Sequence, residues 1–125
     1  MYVNVKRCES VRIARMLRML EESKREVGEI SKRERFMFGL DLYVGDEEKG
    51  DRGVGFVNSR PEIISFMMKW FRDFCGVEES RFRGRIWLHD GLDERKAVSF
   101  WSGLTDTPQC QFHKVYIAKV KKRLF

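Results

Sequence analysis

From Arg81 to His89 the chain alternates without a break, with Phe82, Gly84, Ile86 and Leu88 on one side and Arg81, Arg83, Arg85, Trp87 and His89 on the other. A period of two belongs to an extended strand, whose successive side chains point to opposite faces. The stretch therefore commits the chain to carrying a sheet, one face in a core and the other cationic and aromatic. Three arginines projecting side by side repel one another, and either a polyanion or acids on adjacent strands relieve that repulsion.

Around this strand the other elements fall into place. Val11, Ala14, Leu17 and Leu20 recur at helical spacing, Arg12, Arg15 and Arg18 form a cationic row, and Gly28 offers a stop, so residues 1–30 are expected to hold an amphipathic helix. Ser31-x-x-Glu34 is a capping box that opens a second helix, apolar at Phe36, Met37, Leu40, Tyr43 and Val44 and able to turn at Gly45. Because Phe38, Gly39 and Leu42 occupy its other faces, this helix belongs in a domain centre or a subunit interface. Residues 54–58 read as a short strand. Ser59-x-x-Glu62, with Pro61 in the first turn, opens a third helix whose face is Ile63, Phe66, Met67, Trp70, Phe71 and Phe74 before Gly76. Asp93 caps a fourth helix with Ala97, Val98, Phe100, Trp101 and Leu104 facing inward, and alternation from Phe112 to Ile117 marks a final strand. The order predicts an α+β domain with a small antiparallel or mixed sheet.

The chain has 125 residues, enough for a single domain with one core, and its ten Phe, three Trp and three Tyr argue against disorder. Its net charge of +6 is segregated: Lys114, Lys119, Lys121, Lys122 and Arg123 meet no acid after Asp106, so residues 107–125 carry nearly all of the excess. A basic end of this kind, including a tail at 118–125, is an electrostatic footprint for a polyanion, because neutralising phosphates releases condensed counterions.

Several classes fall away. The longest apolar runs are far short of the roughly 20 residues that span a bilayer. The charged start lacks the apolar run of a secretory signal, and three scattered cysteines, Cys8, Cys75 and Cys110, suit a reducing compartment, so a cytoplasmic protein is expected. Cys110-x-x-His113 has metal-ligand spacing but lacks the second pair that a structural zinc site needs. No phosphate loop, dinucleotide fingerprint or nucleophile elbow is present, so no nucleotide cofactor is expected.

What remains is a cluster of acids, Asp46, Glu47, Glu48 and Asp51, at the end of the second helix, where the macrodipole already places negative partial charge. Mg²⁺ takes one or two carboxylates together with waters and substrate phosphates, which makes Asp46 and Glu47 candidate ligands; an acidic surface turn is the plainer reading.

The segment Phe38-Gly-Leu-Asp-Leu-Tyr-Val-Gly-Asp46 resembles a degenerate LAGLIDADG motif, and residues 54–64, Phe100–Thr105 and Pro108–Phe112 resemble segments of uncharacterised prokaryotic relatives of LAGLIDADG homing endonucleases. The resemblance spans roughly residues 36–117, within a core expected at 31–120. It implies a saddle-like sheet covered by helices on one face, lying on DNA. It also implies a homodimer packed through the motif helix at Phe38, Gly39, Leu42 and Gly45, with Asp46 as the catalytic acid holding Mg²⁺. The residues themselves add Arg81, Arg83, Arg85, Trp87, His89, Lys114, Lys119, Lys121 and Lys122 as contacts to double-stranded DNA. The expectation is a DNA-binding protein, with Mg²⁺-dependent cleavage if the acid is active. Two alternatives stay open: a non-catalytic DNA-binding or regulatory protein of the same fold, and a protein-interaction module.

Overall fold

A computed structural model describes residues 2–47 and 53–118. Those residues form α1 (Tyr2–Val27), α2 (Lys32–Asp46), α3 (Pro61–Cys75), β1 (Trp87–His89), α4 (Glu94–Thr105) and β2 (Tyr116–Ala118), with 3₁₀ turns at Glu79–Arg81 and Gln109–Gln111. The fold class is α+β, mostly helical. The chain divides into two compact units, Met1–Arg35 and Phe36–Phe125.

In the first unit, α1 ends where sequence places its stop: Gly28 adopts φ 64° and donates its N–H to the Lys24 carbonyl at 3.1 Å. The capping box that opens α2 also forms. Glu34 Oε2 accepts from the Ser31 N–H at 2.7 Å while Ser31 Oγ accepts from the Glu34 N–H at 3.2 Å, and these bonds hold the Glu34 carboxyl below its ordinary pKa. Within this unit every residue from Lys6 to Val27 is exposed.

In the second unit α2 packs on α3. Gly45 stays out of the left-handed region, so α2 runs through it to Asp46 and does not turn at the glycine. Trp70 lies over Gly39 so closely that a methyl group there would sit within the indole, and its Nε1 donates to the Phe36 carbonyl at 3.1 Å. Phe36 stacks on Trp70 with centroids 5.8 Å apart, and Phe74 closes the cluster edge-on to Phe36 at 5.4 Å. Together with buried Met67 these rings build the helical half of the core. The start of α3 differs from expectation: the N-cap is Arg60, without a side-chain cap, and Asn58 Oδ1 takes the Arg60 N–H at 2.8 Å in place of a Ser59–Glu62 box. At the other end Gly76, at φ 59°, closes the helix by donating to the Phe71 carbonyl.

The sheet corrects the expectation of a small antiparallel or mixed sheet. β1 and β2 are parallel, with Trp87 beside Tyr116, Leu88 beside Ile117 and His89 beside Ala118. Parallel neighbours need a long crossover, and α4 lies in the connection between them. Of the nine alternating residues only the last three are strand, the first being spent in a 3₁₀ turn. The alternation nevertheless governs burial, because Ile86 is buried, Phe82, Gly84 and Leu88 are half-buried, and the five residues between and beside them are exposed. Phe112 covers Gly84, where a side chain would collide with its ring, and main-chain bonds from Gly84 to Gln111 (3.1 Å), His113 to Gly84 (2.9 Å) and Tyr116 to Ile86 (2.9 Å) hold the two segments together. Val115, buried, completes this half of the core.

Residues 54–58 form no strand; Phe56 makes a single antiparallel bridge with Glu47. Asp93 caps α4 as expected, accepting the Lys96 N–H at 3.1 Å, but Phe100 is exposed while Ala97, Val98, Trp101 and Leu104 are half-buried. No helix among the described residues is long and apolar enough to cross a membrane.

Candidate nucleic-acid interface

The exposed side of the alternating segment carries Arg81, Arg83, Arg85, Trp87 and His89. Parallel pairing sets Tyr116 directly beside Trp87, their rings stacked with centroids 6.1 Å apart and planes at 24°. Both aromatics stand half in solvent, Trp87 at 51% and Tyr116 at 53% of full exposure. Because Val115 is buried, Lys114 and Tyr116 flank it on the opposite, exposed side, which brings Lys114 to the surface that bears the aromatic pair. The Arg83 guanidinium turns back on the preceding turn, its Nη1 donating to the carbonyls of Ser80 and Phe82 at 2.7 Å each. Carbonyls saturate some of its donors without neutralising it, so the positive charge stays at the surface.

Comparison of the chain with protein-family models, with curated proteins and with solved structures finds no match.

The other candidate residues sit apart from this surface in their roles. Asp46, half-buried at the end of α2, accepts the Asn58 Nδ2 hydrogen at 2.7 Å through Oδ2, and its main-chain oxygen accepts the Val57 N–H at 3.2 Å. The helix end thus clamps the segment before α3, and an amide donor offsets the acid placed at the negative end of the helix dipole. Asp46 Oδ2 takes the Asn58 amide, and among the described residues no group of three His, Cys, Asp or Glu is placed to hold a metal. Glu48 and Asp51 lie outside the described residues, as do Lys119, Lys121, Lys122 and all of the basic tail beyond Ala118. Cys110 and His113 are both exposed.

Of the residues expected at a dimer interface, Gly39 is taken by Trp70 of its own chain. Phe38 is exposed with its ring edge-on to Phe66 at 5.4 Å, Leu42 is half-buried, and Gly45 is exposed.

Two features of this surface are set by tertiary pairing. Tyr116 is legible in the sequence as a strand residue but not as the partner of Trp87, since register decides that and no local pattern fixes register across a crossover. Arg72, which no sequence pattern singles out, binds Glu79 through Nε and Nη2, donates from Nη2 to the Thr105 carbonyl at 2.8 Å, and lies 5.1 Å from the Phe82 ring centre. It fastens α3 to the turn that leads into the cationic segment and to the end of α4. Gln111 Nε2 adds bonds to the carbonyls of Glu79 and Phe82, both at 2.8 Å.

Proposed function

We propose that this chain binds DNA through the exposed face of the β1–β2 pair, with Arg81, Arg83, Arg85 and Lys114 neutralising backbone phosphates and the Trp87–Tyr116 pair lying against the nucleic acid between them. The observation that carries the reading is that stacked, half-exposed aromatic pair set among cations. Cationic side chains give sequence-independent affinity that falls with salt, and aromatic rings supply a stacking surface that any base can use. His89, at the end of β1, extends the same face.

A second reading rests on the same pair. Exposed strand aromatics beside cations are how single strands are held, because their bases are free to stack on side chains. Fluorescence anisotropy with a labelled duplex and with one of its strands separates the two: duplex binding with a steep salt dependence supports the first, and a preference for the single strand supports the second. Replacing Arg81, Arg83 and Arg85 together with alanine is expected to flatten the salt slope in either case. Absence of binding to both forms at low salt rejects the proposal.

The LAGLIDADG-like reading, with its saddle sheet, homodimer and Mg²⁺-dependent cleavage, is carried by the sequence resemblance alone. Plasmid nicking in Mg²⁺ that disappears in Asp46→Asn, with DNA affinity kept, is the result that would restore the nuclease.

A further inference from the structure

The two segments that make the sheet slip past each other by one residue. Gly84 bridges Phe112, and Trp87 pairs with Tyr116. Arg85 and Ile86 therefore run between the bridges on one segment, and His113, Lys114 and Val115 on the other. The main-chain bonds mark the slip: His113 donates to the Gly84 carbonyl, and the Ile86 carbonyl then accepts from Tyr116, where an even parallel ladder would take the bond from Val115. This is a β-bulge in the second segment, a device rare between parallel strands and common beside functional sites.

The slip sorts the side chains. Phe112 lies over Gly84 on the inner side, and Val115 is buried, as Ile86 is. Unbroken alternation from Phe112 would turn Lys114 inward beside Ile86 and set Val115 beside Trp87. With the extra residue Val115 takes the inner place, Tyr116 reaches Trp87, and His113 and Lys114 are exposed in succession. Arg85, also exposed, stands at the same level on the neighbouring segment. Among the described residues the Lys114 N–H meets no main-chain acceptor.

We propose that this bulge is a phosphate subsite of the nucleic-acid face, where the His113 imidazole and the Lys114 ammonium and N–H hold one phosphate. The proposal rests on the DNA reading and adds His113 to it, a residue that plain alternation would place on the side opposite Lys114. All three groups donate, and phosphate oxygens accept several such bonds at once. Tyr116 lies two residues on, about 7 Å at the rise of a strand, so a base against its ring keeps a phosphate within reach of Lys114.

Deleting His113 closes the bulge: an even ladder then runs from Gly84 and Phe112 to Trp87 and Tyr116, with Val115 still inward. His113→Ala keeps the bulge and removes the imidazole. Anisotropy titrations use whichever labelled form, duplex or single strand, the wild type binds. Each variant should bind about fivefold more weakly, as loss of one phosphate contact does, with its near-ultraviolet circular dichroism kept. In proton NMR of the wild type, the His113 imidazole signal, identified by its loss in His113→Ala, should shift as DNA is added. Wild-type affinity in either variant, or a His113 signal unmoved by DNA that the protein binds, overturns the subsite and leaves the DNA reading standing. A wild type that binds neither form overturns both.

Discussion

The guanidinium of Arg72 grips both carboxylate oxygens of Glu79, Nε to Oε1 at 2.7 Å and Nη2 to Oε2 at 2.9 Å, across the glycine turn that ends α3. That bond raises the Arg72 pKa and lowers that of Glu79. Arginine stays charged at any ordinary pH, so the pH dependence comes from Glu79. A lowered folded value means the stabilisation is present above the ordinary glutamate pKa and is lost as pH falls through the folded value. Urea midpoints of the wild type minus those of Glu79→Gln should be constant near neutrality and shrink below about pH 4.3, the unperturbed glutamate value. Arg72→Leu, which removes both Glu79 bonds and leaves the Thr105 carbonyl only the Thr107 hydroxyl at 3.3 Å, should cost about 1–2 kcal/mol.

Glycine substitutions separate close packing from helix propensity. Alanine at Gly39 collides with Trp70 and at Gly84 with Phe112, and each should destabilise by about 1–3 kcal/mol. Gly103, in α4 with open space around it, should instead gain about 0.5–1 kcal/mol on becoming alanine. Thermal unfolding of the three variants checks the pattern, and a stable Gly39→Ala would contradict the packing of α2 on α3.

The aromatic pair predicts a dissection of binding. Trp87→Ala or Tyr116→Ala should weaken nucleic-acid affinity by about 1–3 kcal/mol, as loss of a base-stacking ring does, with little change in salt slope. Lys114→Ala should do the reverse, reducing the slope by close to one unit with a modest loss at low salt. Titrations at several salt concentrations read both quantities.

Asn58 predicts a local effect. Asn58→Ala leaves Asp46 Oδ2 without its amide partner and should cost about 1 kcal/mol, with faster hydrogen exchange at the Val57 amide, whose bond to the Asp46 carbonyl closes the same loop. Asp46→Asn should leave DNA affinity unchanged.

The sequence by itself determined the helices, the α+β class and the two faces of the Arg81–His89 segment. These are local properties: the Ser31–Glu34 box, the Gly28 and Gly76 stops and the Asp93 cap each satisfy backbone groups within a few residues, and alternation of apolar with polar residues sorts burial along the segment even where it is not strand. The tertiary structure decided the rest. Parallel pairing depends on how the α4 crossover returns the chain, and only that register brings Tyr116 to Trp87. The same holds for Arg72 and Asp46. Each is a charge whose partner, Glu79 or Asn58, is fixed by the path of the chain between them, so no local pattern shows that Arg72 straps α3 to the following turn or that Asp46 clamps the loop before α3.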